Sequence, residues 1–581
     1  MAKIFSKSKV ILLIILVIAS FLRFYKLTVN PVSMFGDELD LGYQAYSVLK
    51  TGQDYYGNPM PIHFHSLAEW RTPLYLYAAV PTVAIWGITP LGVRVPAAIF
   101  GVLSVFAMYL FVKELLSHGN KPVNFHPRAL IAAFLLAISP WHLQYSRAGF
   151  EVTMMLFFLL MGLWLFFRSL NKKDGKYLWL SVGCLVLTPW VYSTAKFFMP
   201  FFLIFMFLLY RKEILTLKKK NLIYSAIAGL VIGIPIVIST LFGGGAERFN
   251  YISVFTDPVT ESEVGEARLQ DARMRGEATV GATPLFFDRV FHNKFTFWGS
   301  TIIRNVLQPF STEFLFIKGD PNPRQSVGVG EFYKIDMVFM ILGLVLFLTK
   351  FKNIKTKIFV IFWILFGVVP AAITRDGGNH ATRLILILPP LTLLISYGLV
   401  NVWKLLPKKM KKSFVVLYTL ILAICFATYV HVYCFHYPFT SERWWHAGFE
   451  ETFSYAKSVD SQYDRVFFSM EGEPIPIFFA GYYQYPPDKW HKGFPFEATW
   501  VDGFGRISYI DKYYFGSPTQ DNGSIYDLPK YITSHDIYVA VAKEVGWNLI
   551  LDPARVPSGL KLLRAIAYPS GEPAYYVFTK Q

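Results

Sequence analysis

The stretch FGDELD, residues 35–40, places three acidic side chains shortly after an apolar run that is long enough to cross a membrane. That run extends from Val10 to Leu27 and is preceded by several lysines. A charged side chain beside a bilayer is costly unless it faces water or a partner. The stretch therefore predicts a polar site close to the end of a first membrane span.

The composition is typical of a polytopic membrane protein. Of the 581 residues, 54% are hydrophobic and 16% are charged, and the mean hydropathy is +0.39. The formal net charge is +17, but the Lys and Arg residues fall in clusters between apolar runs. Such clusters indicate the cytoplasmic ends of spans rather than a nucleic-acid surface. We therefore expect membrane lipids, and no nucleic acid, among the partners.

The apolar runs predict about eleven membrane-spanning helices. The first run lacks a small-x-small cleavage pattern, so we interpret it as a span rather than a signal peptide. The run Pro73–Ile88 is short and contains Pro81 and Gly87, which suits an interfacial or re-entrant helix. The spans are predicted at 10–27, 92–116, 129–146, 150–168, 177–193, 197–211, 222–242, 335–350, 357–373, 383–404 and 413–435.

The basic clusters predict the topology of these spans. With the positive clusters placed in the cytoplasm, the N-terminus is cytoplasmic and the C-terminal part is extracytoplasmic. We expect a transmembrane catalytic domain at 1–435, with outer loops 28–72 and 243–334, and an extracytoplasmic domain at 436–581. The expected location is the plasma membrane, or the membrane of the endoplasmic reticulum in a eukaryote.

The segment after residue 435 has the pattern of a small α/β domain. RVFFSM from residue 465, IYVAVA from residue 537 and AYYVFTK from residue 574 are typical of strands. FEETFSYAKSV from residue 449 has a helical pattern. The fold class is therefore a polytopic α-helical membrane protein with interfacial helices and a C-terminal α/β domain.

The predicted topology collects polar residues on the outer side of the membrane. Taken singly, each of them has an ordinary explanation, such as a lysine or arginine that reaches a lipid headgroup or an aspartate in a turn. Taken together, acids and bases from distant loops at one rim indicate a site, because polar groups at membrane depth usually line a cavity or a pathway. The candidates are Asp37, Glu38, Arg71, Arg147, Glu151, Tyr192, Lys196, His380 and Arg383.

This mixture of charges suits the transfer of a sugar from an anionic, lipid-linked donor to a hydroxyl group. A departing polyprenyl phosphate is already an anion, so it requires cations rather than a proton donor. Arg71, Arg147 and Arg383 can supply them. The attacking hydroxyl must lose its proton, which a positioned carboxylate can accept. We predict Asp37 as this base, with Glu151 as the next candidate.

Six motifs give the chain a family resemblance. FGDELD, RTPLYLY, VRVPAAIFG, SPWHLQYSRAGFE, YSTAKFFMP and the GDPNPR loop near residue 319 resemble, in order and spacing, the GT-C membrane glycosyltransferases of family 39. That family includes the protein O-mannosyltransferases and aminoarabinose transferases. The resemblance extends from about residue 10 to residue 435 and is weaker in the C-terminal domain.

The resemblance implies an inverting transferase that uses a polyprenyl-phosphate sugar on the outer or lumenal face. The catalytic acid of the first outer loop falls on Asp37, with Glu38 beside it, and a second acid, often Asp, falls on Glu151. This departure leaves open whether Glu151 is catalytic or orients Arg147 or the acceptor. Donor phosphate contacts are implied at Arg71, Arg147, Lys196, His380 and Arg383.

Two further features concern the substrate cavity and metals. Tyr192 is a candidate cavity residue, and the GDPNPR loop is either a rigid connection or a cover that brings Arg324 and Glu331 to the cavity. Some relatives bind a divalent ion, but the sequence has no tight cluster of His, Cys and acidic residues at ligand spacing. His63 and His65 are possible ligands, although an ordinary loop is the more frequent explanation. We expect no required metal or other cofactor.

Other functions remain open. A transporter or flippase of lipid-linked glycans would have charges at the midplane and a repeat between halves, neither of which the sequence has. A polyprenyl-dependent ligase or polymerase uses arginines and a histidine, whereas this chain has an early Asp-Glu pair. A scaffold would tolerate Asp37→Asn. The donor sugar, expected to be mannose or another hexose, and the acceptor, a protein, glycan or lipid, are not specified.

Overall fold

The computed structural model describes residues 2–67, 69–117, 126–277, 283–469, 474–502, 504–519 and 523–581. Most of the helices are long and apolar. Those in the first half of the chain are α1 (Ala2–Phe24), α2 (Gly36–Thr51), α3 (Pro73–Trp86), α4 (Pro90–Ser117), α5 (Pro127–Ile138), α6 (Pro140–Ser146), α7 (Val152–Lys172), α8 (Lys176–Val191), α9 (Ser193–Ile214), α10 (Lys219–Phe242), α11 (Glu247–Ile252), α12 (Val259–Met274), α13 (Phe286–Phe291) and α14 (Lys294–Leu307).

The second half of the chain adds ten helices within the described residues. They are α15 (Lys334–Lys350), α16 (Ile354–Gly367), α17 (Val369–Ala372), α18 (Ala381–Leu384), α19 (Leu388–Leu405), α20 (Lys408–His431), α21 (Tyr437–Thr440), α22 (Phe449–Val459), α23 (Ile475–Tyr483) and α24 (Pro487–Gly493). Short 3₁₀ or π turns connect several of these helices, for example at Gly377–Asn379 and Val432–His436.

The number of spans differs from the prediction. Among the described residues, seven helices are long and apolar enough to cross a membrane, or eight if the bent pair α5 and α6 forms one span. Helix α8 has 16 residues and rises about 24 Å, which is less than a typical hydrocarbon core. The predicted polytopic helical class is confirmed, but the count of eleven is not. Helix α3 has 14 residues and is too short to cross, as predicted.

The C-terminal part is built on a mixed sheet, as predicted. Its seven strands are β3 (Arg465–Phe468), β4 (Thr499–Val501), β5 (Gly505–Ile510), β6 (Tyr513–Phe515), β7 (Asp536–Val541), β8 (Leu560–Ala567) and β9 (Pro573–Lys580). Their order in the sheet is β4-β5-β6-β3-β7-β9-β8, and β3 is parallel to β6 and β7. Strands β3, β7 and β9 and helix α22 confirm the four predicted elements, whereas β4, β5, β6 and β8 were not predicted. A separate hairpin contains β1 (Phe64–His65) and β2 (Trp70–Arg71).

The chain forms two compact units, and both are discontinuous in sequence. The first unit contains Met1–Ile18, Leu103–His142 and Met155–Phe426, and the second contains Ala19–Val102, Leu143–Met154 and Ala427–Gln581. The second unit therefore joins α2 and α3 to the C-terminal sheet domain. This grouping differs from the predicted boundary after residue 435, because α2 packs against α23 and α24.

Each unit has its own core. In the first unit, α15 and α19 approach closely at Gly343 and Gly398, where an added Cβ would lie 2.0 and 2.2 Å from backbone oxygens of the other helix. Such small residues allow helix backbones to pack tightly in membranes. In the second unit, the sheet buries an aromatic core that includes Phe467, Tyr538 and Phe578.

Candidate active site

The acids of FGDELD lie in the first turns of α2 and point in different directions. Successive helical residues are rotated by about 100°, so Asp37 and Asp40 share a face while Glu38 lies on another. Asp37 and Glu38 occupy the first turn, where the helix dipole favours negative charge. The helix thus divides neighbouring carboxylates between two environments.

Arg71 binds the acids on the first of these faces. Its Nη2 is 2.7 Å from Asp37 Oδ1, and its Nε is 2.7 Å from Asp40 Oδ2. Glu69 Oε1 lies 3.5 Å from Nη2. The side chain of Asp37 is 54% exposed and that of Arg71 is 15% exposed. Burial opposes the charge on Arg71, but Asp37, Asp40 and the other nearby carboxylates raise its pKa well above the ordinary value.

Asp40 is a buried part of this cluster that the sequence analysis did not select. Its Oδ1 accepts hydrogen bonds from Tyr55 Oη at 2.8 Å and Ser66 Oγ at 3.0 Å. Burial raises the pKa of Asp40, while Arg71 and these two hydrogen bonds oppose the rise. The spacing of Asp37 and Asp40 by three residues is the signal that identifies it, because that spacing places both carboxylates on one helix face.

Glu38, predicted with Asp37 as catalytic, forms a separate buried ion pair. Its Oε1 and Oε2 accept hydrogen bonds from Arg94 Nε and Nη2 at 2.7 and 2.8 Å, and neither side chain is exposed. Gly149 N donates a further bond to Glu38 Oε1 at 2.7 Å. An added Cβ at Gly149 would lie 3.0 Å from Glu38 Cγ, so the glycine allows this approach. Glu38 thus connects α2 to Arg94 and Gly149, and its contacts are structural.

Arg94 was not selected from the sequence either, although it lies in the quoted motif VRVPAAIFG. Besides Glu38, it donates to the backbone oxygens of Leu27 and Pro31 at 3.1 and 3.0 Å and to that of Ser33. A guanidinium group has five N–H donors in a fixed geometry, which suits this role. Arg94 therefore connects the segment after α1 to the start of α2.

Arg147 also has protein acceptors for all its donors. Its Nε donates to Tyr433 Oη at 2.9 Å, and its two terminal nitrogens donate to four backbone oxygens around the end of α1. These oxygens belong to Leu22, Arg23, Lys26 and Asn30, at 2.7 to 3.3 Å. The last carbonyls of a helix need such partners. In this arrangement no N–H group of Arg147 remains for a phosphate.

Glu151 lies in the turn immediately before α7 and is half-buried. Its charge is among those that raise the pKa of Arg71, so it belongs to the same electrostatic environment as Asp37 and Asp40. The structure thus brings together Asp37, Arg71 and Glu151 of the predicted residues in the second unit.

The remaining predicted residues lie in the first unit, where a loop supports the His380–Arg383 segment. Asp320 Oδ2 accepts a hydrogen bond from Ala381 N at 2.7 Å. Gln325 Oε1 accepts from Thr382 Oγ1 at 3.0 Å, and Gln325 Nε2 lies 3.4 Å from His380 Nε2. Arg383 Nη1 donates to Thr374 Oγ1 at 2.7 Å.

The GDPNPR loop is braced by its own buried carboxylates. Glu331 Oε1 accepts a hydrogen bond from Asp320 N at 3.1 Å, and both side chains are buried. Burial raises the pKa of Asp320 to about 6 and raises that of Glu331 well above its ordinary value. Arg324 N donates to Asn322 Oδ1 at 2.9 Å within the same loop. Of the two predicted alternatives, the contacts favour a rigid connection.

The environment of His380 differs from that of a phosphate-binding cation. Burial, with the positive charges of Arg383 and Arg248, lowers the pKa of His380 well below its ordinary value. The imidazole is therefore neutral near pH 7, where it can form a hydrogen bond but not an ion pair.

Lys196 and Tyr192 lie where α8 meets α9. Tyr192 is buried at the junction of the two helices. Lys196 Nζ donates to Gly245 O at 3.1 Å and lines an apolar cleft of about 380 Å³ between α8, α9 and α10. The cleft places one cation beside an otherwise apolar surface.

The histidines considered as metal ligands have other surroundings. His63 is buried, and His65 stacks between Tyr56 and Trp70 with ring centroids 3.8 and 4.4 Å away. Over the described ranges, no group of three or more His, Cys, Asp and Glu side chains is arranged to hold a metal ion. Independence from metals stays a prediction.

The sequence matches a family model and is similar to two curated proteins. Residues 70–238 match the model described as dolichyl-phosphate-mannose-protein mannosyltransferase. The "putative mannosyltransferase YkcB" of Bacillus subtilis is 26% identical over 287 residues, covering 47% of this chain and 36% of that protein. The "dolichyl-phosphooligosaccharide-protein glycotransferase 2" of Pyrococcus horikoshii is 30% identical over 192 residues, covering 31% of this chain and 24% of that protein.

A solved structure is also similar to this chain. The crystal structure of ArnT from Cupriavidus metallidurans bound to undecaprenyl phosphate covers 97% of both chains, with 11% sequence identity and a TM-score of 0.49.

The regions that match the two curated relatives span 36% and 24% of those relatives' own lengths. Four of the six quoted motifs lie within residues 70–238, so the family match confirms the predicted resemblance to membrane glycosyltransferases there. FGDELD and the GDPNPR loop lie outside the matched segment.

Proposed function

We propose that the chain is an inverting glycosyltransferase that moves a sugar from a polyprenyl-phosphate carrier to an acceptor hydroxyl on the extracytoplasmic face. The family match at residues 70–238 supports the reaction class. The N-terminus is proposed to be cytoplasmic and the C-terminal domain extracytoplasmic, in accordance with the positive-inside rule. Mannose or another hexose is the proposed sugar, and the acceptor is a protein, a glycan or a lipid.

The observation that carries this proposal is the exposed carboxylate of Asp37, held by Arg71. A general base must reach the proton that it removes, and Asp37 is the exposed member of its cluster. A neighbouring guanidinium favours the ionised form of a carboxylate, which is the form that accepts a proton. Asp40 binds Nε of Arg71, which fixes the orientation of the guanidinium group towards Asp37.

From the same arrangement we propose a positioning role for Arg71. Its contacts with Asp37 and Asp40 hold the base, and Glu151 adds negative charge nearby. In the proposed reaction, the hydroxyl oxygen forms a bond to the anomeric carbon of the sugar while the bond from that carbon to the phosphate oxygen breaks. The proton goes to Asp37, and the polyprenyl phosphate leaves as an anion.

For the leaving phosphate we propose Lys196 and Arg383 as the cationic contacts and His380 as a neutral hydrogen-bond donor. Cations stabilise the charge that develops on a departing phosphate. Lys196 borders an apolar cleft, which suits the boundary between a phosphate and a hydrocarbon chain. Arg147 is the least suitable of the predicted phosphate ligands, because its donors already bind protein oxygens.

A transfer assay with Asp37→Asn tests the function. The purified full chain is reconstituted in vesicles with a panel of radiolabelled polyprenyl-phosphate sugars and a membrane extract as the source of acceptors. We expect the parent to transfer label to a new product, and Asp37→Asn to lose about 10²- to 10⁴-fold in rate because it removes the base. Glu497→Gln, an exposed acid of the same unit, is the matched control.

Three measurements on the same samples decide between the proposed function and its rivals. Donor binding by Asp37→Asn should equal that of the parent, since the substitution preserves the shape of the side chain. Equal transfer by the parent and Asp37→Asn would exclude Asp37 as the base. Movement of intact labelled donor across the vesicle membrane, without any glycosylated product, would favour a transporter instead.

A further inference from the structure

Helix α13 has an inverted distribution of polar and apolar side chains. Phe286, Phe287 and Phe291 are 73%, 68% and 65% exposed, and Leu285 and Val290 beside them are also exposed. The acid of the same helix, Asp288, is buried. A surface helix in water normally buries its apolar side chains and exposes its acids. Exposed apolar groups of this density mark an interaction surface.

The inverted orientation is held by strong polar contacts. Asp288 Oδ1 and Oδ2 accept hydrogen bonds from Arg275 Nη1 and Nη2 at 2.8 and 2.7 Å, and Asp288 Oδ2 also accepts from Leu285 N at 2.9 Å. A two-pronged arginine–carboxylate pair fixes direction as well as distance. Rotation of α13 to bury its phenylalanines would break both bonds to Arg275.

Helix α14 continues the exposed surface and is fixed in the same way. Its side chains Phe295, Ile303 and Leu307 are exposed. On its opposite side, Asn305 is buried and Nδ2 donates to Ala372 O and Thr374 O at 3.2 and 2.8 Å. Asn293 caps the start of the helix by accepting from Phe295 N and Thr296 N. The helix therefore cannot turn its apolar side chains inward without losing the two bonds of Asn305.

We propose that α13 and the exposed side of α14 dock into the adjoining leaflet of the lipid bilayer. The aromatic patch of this proposal consists of Leu285, Phe286, Phe287, Val290, Phe291 and Phe295. Helices that lie in the membrane interface combine such apolar residues with Lys or Arg at the polar boundary. Arg289 within α13 and Lys294 at the start of α14 supply those charges.

Three observations favour lipid over another protein as the occupant. The segment that contains the aromatic patch connects α10 and α15, and α10 is an apolar helix of spanning length, so both ends of the segment are tethered beside apolar helices. Helix α10 itself is only 11% buried over its apolar window, which shows that the chain has a further apolar surface in the same unit. Trp298, with Lys294 Nζ 5.6 Å from its ring, adds a residue type that favours the membrane interface.

A fluorescence experiment on the reconstituted full chain tests the docking. Cys184, Cys425 and Cys434 are replaced by serine, and Phe287→Cys is labelled with an environment-sensitive fluorophore. Glu263→Cys on α12, an exposed polar position of the same loop, is the matched control. The vesicles contain phosphatidylcholine and phosphatidylglycerol, with or without lipids that carry a doxyl quencher in the upper acyl chain.

We expect blue-shifted emission at position 287 and at least about twofold stronger quenching by the doxyl lipid than at position 263. Equal quenching of both labels by aqueous iodide, with no effect of doxyl lipid, would overturn the proposal. Blue-shifted emission without lipid quenching would also overturn it, because the patch would then be covered by protein. Phe291→Cys serves as a second label position if Phe287→Cys does not fold. The readout is independent of transfer activity.

Discussion

Two carboxylate–arginine pairs arise from adjacent residues of one motif, and their surroundings differ. The pair between Asp37 and Arg71 has an O–N distance of 2.7 Å with the acid largely exposed, whereas the pair between Glu38 and Arg94 has the same distance with both side chains fully buried. Similar distances therefore do not imply similar roles. An exposed acid can meet a substrate, while a buried pair acts on the stability and precision of the fold.

The difference shows how one helix supports two tasks. Arg71, 15% exposed, holds Asp37, the proposed base, in place, and the fully buried Arg94 ties the same helix to the segment after α1. A buried ion pair contributes little net stability compared with apolar packing, but removal of one partner is costly. Substitutions in the Asp37–Arg71 pair should therefore lower the rate of transfer, and substitutions in the Glu38–Arg94 pair should lower the free energy of unfolding.

The largest expected effect on stability comes from Glu38→Gln. This change leaves the charge of Arg94 buried without its counterion, which should lower the free energy of unfolding by about 3–5 kcal/mol. Thermal unfolding in detergent measures it, with Asp37→Asn as the adjacent control that should unfold close to the parent. If both variants unfolded at the same temperature, the comparison between the buried and exposed pairs would fail.

Arg71→Lys tests whether Arg71 positions the base or binds the donor. An ammonium group cannot hold Asp37 and Asp40 together as the planar guanidinium does, so we expect roughly a 10- to 100-fold fall in kcat. The KM for the donor should change little. Glu69→Gln, whose carboxylate lies 3.5 Å from the same nitrogen, should be milder. A large rise in KM with constant kcat would instead identify Arg71 as a phosphate ligand.

Arg147→Met extends the comparison to the third arginine. It removes the donors that satisfy four backbone oxygens near the end of α1, so stability should fall by about 1–3 kcal/mol. Tyr433→Phe removes a single partner of Arg147 and should have a smaller effect. Unfolding temperature and donor KM are measured together. Unchanged stability with weaker donor binding would restore the phosphate role predicted from the sequence.

A pH-dependent effect on stability is expected at Asp320. Its folded pKa of about 6 is raised from 3.8, so the folded state binds more protons between these values. The stability that Asp320 contributes is therefore fully present below pH 3.8 and is lost as the pH rises through about 6.

Thermal unfolding of the parent and of Asp320→Asn across this pH range checks the sign. The free energy of unfolding of the parent, relative to that of Asp320→Asn, should be greatest near pH 4 and should decrease towards pH 6. Glu331 and His380 titrate in both proteins, so their contributions largely cancel in the difference. Asp376→Asn, at an exposed acid of the same unit, is the matched control variant. A constant difference would mean that the pKa of Asp320 is the same in the folded and unfolded states.

The sequence predicted the elements with regular patterns better than the contacts between them. Helix α22 and strands β3, β7 and β9 lie where periodicity placed them. Helix α8 ends too early for a full span, at Val191, because the backbone of Tyr192 is extended before α9 begins. The polar residues Ser193, Thr194 and Lys196 follow this break, and the predicted spans 177–193 and 197–211 are separated at the same place.

For the site residues, the sequence shows which acids share a face of one helix, but it does not show which residues of different elements form pairs. The separation of Asp37 and Asp40 by three residues was sufficient to place Asp40 on the face of Asp37. Nothing in the sequence distinguishes Arg94, which pairs with Glu38, from Arg147, which binds the end of α1. Both occur within the quoted motifs.

The sequence by itself determined the class of the protein, because the length and composition of apolar runs decide whether a helix is stable in lipid, and each run carries that information locally. It also determined which residue types are available for chemistry. The tertiary structure alone decided their roles. Which arginine meets which carboxylate, and whether the pair is exposed, depends on the rotation of α2 and on loops from distant parts of the chain, which no local pattern records.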